Sequence, residues 1–336
     1  MPQVDINQAT RRAVLVGAGS SLPEKILNNN DLEKMVKTSD EWITARTGIK
    51  QRRIANDKQT TATLATEASK MALDQAHIHP NELDFIICGT VTPEMVFPST
   101  ACFIQNSLDN HHCCAFDLSA ACSGFVYAVT LASSLISNGQ AKNVLTIGAE
   151  TLSRITNYQD RASCILFGDG AGAALFQAQE NTTKGVLYSA VHADGGGWTT
   201  LNCKAYGSRH PAYLPLDDKD NIYMYINGRE TYQLAVRRIV EMIEQIYRDC
   251  NICNDDIAMI IPHQMNSRII ESTAKRIHVN MDKMFVNIDK FGNTSAASIP
   301  IALNEVLQNQ TLKQDDLIIL VSFGGGLTWG ANLIRL

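Results

Sequence analysis

Residues 116–136 read FDLSAACSGFVYAVTLASSLI, and residues 288–307 read IDKFGNTSAASIPIALNEVL. Each is a β-rich run, a turn of small residues and an apolar helical stretch. Aligning SAACSG with SAASIP puts Cys122 opposite Ser298. Two further pairs follow in the same order: NELDFIICG (81–89) with NDDIAMIIP (254–262), and VLTIGAE (144–150) with LIILVSFGGG (317–326). Three ordered matches at nearly one offset predict a duplicated half, too long for a solenoid repeat. The boundary is expected near residues 178–185, in the polar stretch QAQENTTKG, giving halves 1–180 and 181–336.

Working outward, strands are expected at 13–17, 85–89, 115–118, 144–148, 258–261, 285–288 and 317–322. Helices are expected at 61–75, 124–138, 230–249 and 298–308. Apolar strands alternating with helices predict an α/β protein whose sheets are covered on both faces.

The chain has 336 residues, 45% of them hydrophobic and 19% charged, which excludes global disorder. With 29 Lys+Arg against 34 Asp+Glu, the net charge is −5 and no basic field points to nucleic acid. Nine cysteines, two of them adjacent (Cys113 and Cys114), make a poor disulfide framework and fit reduced thiols. No apolar run approaches the ~18–20 residues of a membrane span, and residues 1–12 lack a secretory core. A cytoplasmic protein is the expectation.

Cys122 lies in Ser119-Ala120-Ala121-Cys122-Ser123-Gly124, between a strand and a helix. A thiol at a helix N-terminus faces free N–H groups and the positive dipole end, both of which favour the nucleophilic thiolate. The plainer reading is a small buried thiol, which suits Cys88, Cys102, Cys164 and Cys203. His263 follows Pro262 at the carboxyl end of an apolar strand, where ligand sites of α/β sheets gather. Asn293 precedes the second small-residue turn, as either a cap or an oxyanion donor. Gly324-Gly325-Gly326 allows close backbone approach but matches no phosphate or dinucleotide fingerprint. Gly168-Asp169-Gly170-Ala171-Gly172 reads as a turn with close packing. Cys250 and Cys253 have CxxC spacing without a second pair, so no metal is expected.

These segments carry a resemblance. TSDEWITARTGI (38–49), FPSTAC (97–102), DLSAACSGF (117–125), DRASCILFGDGAGA (160–173), PHQMN (262–266), FGNTSAASIP (291–300) and SFGGGLTWG (322–330) stand in family order. The chain resembles the β-ketoacyl-acyl carrier protein synthase III family of the thiolase-like superfamily along nearly its whole length. The resemblance implies a thiolase-like fold of two duplicated α/β halves in an αβαβα layering. It implies a Cys-His-Asn set at Cys122, His263 and Asn293, and a ping-pong reaction. Cys122 accepts an acyl group, acetyl most simply, from acyl-CoA. Malonyl-acyl carrier protein then loses CO2 and its carbanion attacks the thioester, a step that initiates fatty acid synthesis.

Further roles carry over residue by residue. The backbone N–H groups of Cys122 and Gly325 correspond to an oxyanion site, and Phe323 to a shield for the malonyl carboxylate. Trp42 and Arg161 match an adenine sandwich, with Thr38, Arg46 and Asn266 at further CoA positions. Arg268, Lys275 and Arg276 match carrier-protein docking positions. Phe97 matches a residue reaching into a partner's acyl pocket, which implies a homodimer. No cofactor is implied, because the CoA thioester is a substrate.

Met265, Arg229, Ala162 and the length of segment 198–220 depart from the family pattern, and all are expected near the tunnel. They motivate a second reading, a condensing enzyme of specialised metabolism using a longer or aromatic acyl-CoA. A third is a non-catalytic acyl-binding protein of the same fold. A thiolase would want a second cysteine late in the chain, but the last here is Cys253.

Overall fold

The computed structural model describes residues 3–205, 207–211, 222–309 and 312–336. One sheet contains β1 (Thr10–Ser21), β2 (Phe85–Gly89), β3 (Cys114–Leu118), β4 (Asn143–Thr151) and β5 (Asp169–Thr182), in the spatial order β1-β5-β4-β2-β3. The other contains β6 (Gly185–Ala193), β7 (Ile257–Pro262), β8 (Leu317–Gly324) and β9 (Thr328–Arg335), in the order β6-β9-β8-β7. Both run antiparallel, antiparallel, parallel from the β1 or β6 edge, so the two sheets share one topology.

Between the sheets lie α4 (Gly124–Ser137) and α7 (Ser298–Gln308). Phe125, Val129 and Ile136 of α4 and Ile299, Leu303 and Val306 of α7 share one buried cluster with Ile87 and Val144 of the first sheet and Ile261 and Ile318 of the second. Helices apolar around much of their circumference belong in such a central layer. The outer faces are covered by α2 (Thr61–Ala76) with α3 (Thr100–Ser107) on one side and by α5 (Gly228–Cys250) with α6 (Ser267–Arg276) on the other. The result is the expected five-layered αβαβα thiolase-like arrangement.

The structure departs from the sequence reading in three places. Residues 285–288 form no strand. Only Met284 bridges to Ile260, and a short helical turn already starts at Ile288. The stretch 168–172 is not a turn, because β5 begins at Asp169. Its glycines let α7 settle on the strand, since a Cβ on Gly172 would stand 2.6 Å from the Ile301 nitrogen. The polar stretch at the expected boundary is the partly exposed end of β5, followed by the short turn into β6.

The two small-residue turns are single 3-10 turns, Ala121–Ser123 and Ser295–Ala297, each leading directly into its central helix. Ala121 (φ 46°) and Ser295 (φ 48°) both adopt left-handed backbone, rare for residues with a Cβ. Equivalent geometry therefore pairs Ala121 with Ser295 and Cys122 with Ala296, two positions away from the register the sequence match suggests.

Candidate active site

The turn carrying Cys122 is fixed from β8. The Ser322 hydroxyl donates to the Cys122 carbonyl at 2.7 Å, and Ser123 Oγ donates to the Thr328 carbonyl. Gly324 lies so close that a Cβ there would be 2.7 Å from the Cys122 nitrogen. The nearest backbone approach thus comes from Gly324, while Gly325 and Gly326 line the cavity beside the thiol.

Cys122 is buried, and its thiol is pushed up to about 12 by desolvation. Burial thus works against the thiolate that the helix terminus favours. The cysteine sits in the 3-10 turn ahead of α4, and burial outweighs the terminus. The resting group is a thiol.

His263 follows β7. Its N–H donates to the Val321 carbonyl of β8 at 2.9 Å, the strand that also holds Cys122. The ring is buried, and burial pushes its pKa down to about 3, so the imidazole is neutral. Nδ1 is 2.6 Å from Ser298 Oγ, and the same oxygen accepts from Gln264 N–H at 3.3 Å. Among the described residues the Ser298 hydroxyl hydrogen has no acceptor other than Nδ1, so the hydroxyl donates to it. The network assigns the proton to Nε2, which has no partner among the described residues.

Asn293 is buried and pinned by its backbone to Leu166 and Gly168 at 2.9 and 3.0 Å. Its Oδ1 accepts from Ser295 N–H at 2.8 Å, which turns the amide NH2 to the other side. No described residue accepts from that NH2. The site therefore holds two open donors on the half of the chain opposite Cys122 in sequence.

The cavity at Cys122 measures about 370 Å3 and is walled by Val91, Leu152, Ile155, Phe167, Leu201 and Met224, with Ser295 beside the thiol. Neither His263 nor Asn293 lines the cavity; Asn293 is tied to it through Ser295, and His263 bonds Ser298. A larger cleft of about 530 Å3, where residues 3–7 meet Cys250–Ile252, has no such donor set, so size does not choose the site. Sequence reasoning missed Ser295, Ser298 and Ser322, because isolated serines carry no motif.

Phe323 is fully buried in the cluster containing Met265, Leu327 and Trp329, and it does not line the cavity. Trp42 on α1 (Asp40–Thr47) carries two stacked guanidinium groups, Arg46 at 4.9 Å and Arg161 at 4.7 Å. Arg161 thus packs directly on the indole. Asn266 donates to the Arg46 carbonyl at 3.1 Å and caps α6 through Arg268 N–H. The Thr38 hydroxyl is buried and has no partner among the described residues. Arg268, Lys275 and Arg276 are exposed on α6, and Phe97 is 80% exposed beside exposed Met95 and Val96.

Met265 is a core residue away from the cavity lining, and Arg229 is exposed at the start of α5. Ala162 lies in the short helix Arg161–Cys164. Within segment 198–220, Trp198, Leu201, Asn202 and Cys203 line the cavity; residues 206 and 212–220 lie outside the described residues. All nine cysteines are free in the structure. No described helix is long and apolar enough to cross a membrane.

Residues 116–195 match the family model of 3-oxoacyl-[acyl-carrier-protein] synthase III, and residues 248–336 match its C-terminal model. The chain is 50% identical over 323 residues to β-ketoacyl-[acyl-carrier-protein] synthase III of Caldanaerobacter subterraneus subsp. tengcongensis, covering 96% of this chain and 97% of that one. It is similar to the crystal structure of 3-oxoacyl-[acyl-carrier-protein] synthase III from Aquifex aeolicus VF5, with TM-score 0.90, 45% identity, and 96% and 100% of the two chains covered. A priming β-ketosynthase from the R1128 polyketide pathway shares the fold at TM-score 0.88 but only 26% identity, covering 100% of this chain and 98% of that one. Family models across both ends of the fold and near full-length identity of this size lead to one conclusion: the chain belongs to the β-ketoacyl-[acyl-carrier-protein] synthase III family of condensing acyltransferases.

Proposed function

We propose that this enzyme transfers an acyl group, acetyl most simply, from acyl-CoA to Cys122 and condenses it with malonyl-acyl carrier protein to initiate fatty acid synthesis. The observation carrying this reading is the buried Cys122 thiol at the cavity, with Ser295 beside it donating its N–H to Asn293 and with β8 bonded both to the Cys122 turn and to the His263 N–H.

Loss of CO2 from the malonyl group places negative charge on its thioester oxygen. Two neutral donors already oriented by buried partners stabilise that enolate without reorganising. The neutrality of His263 matters: Nε2–H donates without surrendering its proton. The enolate carbon then attacks the Cys122 thioester, forming the C–C bond and releasing the Cys122 sulfur. Backbone N–H groups of Cys122 and the glycine run would hold the tetrahedral oxygen.

In the same reading, CoA enters past Trp42, Arg46, Arg161, Asn266 and Thr38. An adenine between Trp42 and Arg161 requires their direct stack to open. Arg268, Lys275 and Arg276 would receive the acidic carrier protein. The exposed Met95-Val96-Phe97 would pack into a second copy, making a homodimer. The halves are taken as 1–180 and 181–336, the enzyme as cytoplasmic and metal-free. Met265 and Arg229 do not line the cavity, so they lend the specialised-metabolism reading no support there, whereas segment 198–220 contributes Trp198, Leu201, Asn202 and Cys203 to its wall.

The test is a donor panel. Acetyl-CoA, longer acyl-CoAs and an aroyl-CoA are each supplied with malonyl-carrier protein, and product is read by mass spectrometry. Turnover fastest with short donors supports the assignment. Turnover only with long or aromatic donors transfers it to the second reading, and no adduct on Cys122 leaves an acyl-binding protein.

A further inference from the structure

Trp198 lines the Cys122 cavity and is 43% exposed, whereas Leu152 and Phe167 of the same wall are buried. It therefore marks a side on which the cavity meets solvent. None of Thr38, Trp42, Arg46, Arg161 and Asn266 lines this cavity, so that side is not the one assigned to the nucleotide. An indole there faces the acyl group.

Contacts on two sides hold this indole. From behind, Asp194 and Leu327 exchange backbone bonds: Asp194 N–H donates to the Leu327 carbonyl at 2.8 Å, and Leu327 N–H to the Asp194 carbonyl at 2.7 Å. The Asp194 carboxylate accepts from Gly196 N–H at 3.0 Å and so starts the single 3-10 turn Gly195–Gly197 that delivers Trp198. That turn is pressed onto the loop after β8, since a Cβ on Gly197 would stand 2.5 Å from Leu327 Cγ. Beyond Trp198, Thr200 N–H donates to the Gly197 carbonyl at 3.0 Å, and the Thr200 carbonyl accepts from Asn227 N–H at 2.9 Å. From outside, the Arg209 guanidinium sits over the indole ring at 4.9 Å. The indole is thereby fixed relative to Gly325 and Gly326, which line the same cavity.

Resting on the assignment of Cys122 as the acylated thiol, we propose that Trp198 is a specificity-determining residue that closes this cavity against bulky acyl donors, and that Arg209 positions it. An acyl group on Cys122 has to fit the space of about 370 Å3 inside this wall. A bulkier group can enter only by displacing the indole, which breaks its stack on Arg209 and strains the turn clamped to Leu327. Extra bulk therefore costs binding instead of being absorbed by a yielding wall. Removing the indole leaves room for a ring carried by the donor itself. A single methylene against an apolar wall already changes specificity about 10- to 200-fold, so the loss of a whole indole is readily measured.

The experiment compares kcat/KM for acylation of the full-length enzyme by acetyl-CoA and by phenylacetyl-CoA, read as acyl-Cys122 by quenched mass spectrometry. In Trp198→Ala the ratio of phenylacetyl to acetyl transfer should rise at least about tenfold over the parent. Trp198→Phe, which keeps a ring, should fall between the two. Arg209→Ala should raise the ratio by a smaller factor, because the indole remains but is no longer held. A merely structural role would slow both donors equally, so an unchanged ratio in Trp198→Ala overturns the proposal. A parent that takes phenylacetyl-CoA as readily as acetyl-CoA overturns it too. The parental ratio in Arg209→Ala overturns the positioning role of that residue. If Trp198→Ala does not fold, the parental ratio in Trp198→Phe is the overturning result. If the parent forms no adduct with either donor, the assignment of Cys122 fails instead.

Discussion

Ser298 Oγ lies 2.6 Å from His263 Nδ1 and simultaneously accepts from Gln264 N–H. A hydroxyl at the start of the second central helix thus fixes which imidazole nitrogen carries the proton. Ser298→Ala should slow malonyl decarboxylation 10- to 100-fold, in the range of lost outer-shell partners, while acylation of Cys122 proceeds. Comparing CO2 release with adduct formation checks this; equal loss in both would mean general disruption.

Cys122→Ala should abolish the acyl adduct. His263→Ala and Asn293→Ala should each retain the adduct while decarboxylation falls about 10²- to 10³-fold, the cost of one oxyanion donor. Failure of both donor variants to acylate would refute this division of labour.

Burial holds the His263 pKa near 3, below its ordinary 6.5. The unfolded chain therefore binds the extra proton first, and stability from the neutral imidazole is lost as pH falls from about 6.5 towards 3. His263→Ala lacks this dependence. The stability gap between parent and variant should shrink by about 3 kcal/mol between pH 6.5 and 4 in urea unfolding. A constant gap would show that the imidazole protonates freely in the fold.

A Cβ on Gly324 would press on the Cys122 nitrogen and, at 3.0 Å, on its Cβ. Gly324→Ala should destabilise by about 1–3 kcal/mol and displace the thiol, so that adduct formation falls further than stability alone explains. Parental acylation in a folded Gly324→Ala enzyme contradicts this packing.

Trp42→Ala removes the surface on which Arg46 and Arg161 stack. KM for acyl-CoA should rise about tenfold, and the preference for acyl-CoA over acyl-pantetheine should shrink. An unchanged preference would place the nucleotide elsewhere.

Much of this was legible in the linear chain. The repeated β-run, small-residue turn and apolar helix announce the layered fold, because central helices must be apolar on two sides and their turns must be small. Cys122, His263 and Asn293 stand in motifs specific enough to name them as candidates for the chemistry. The strands at β5, β6 and β9 were hidden. Glycines of β5 resemble a turn until α7 is seen resting on them, and the polar end of β5 resembles a linker because one edge of that strand meets solvent.

The ionisation state of the site was decided only by tertiary structure. Sequence placed Cys122 ahead of a helix and suggested a thiolate, but burial from several distant segments makes it a thiol and His263 neutral. The sequence alone determined which reactive groups exist and on which elements they stand. Their protonation, their tautomers and the joining of Ser295 to Asn293 and of Ser298 to His263 depend on desolvation and hydrogen bonds that arise only when the two sheets close on their shared helices.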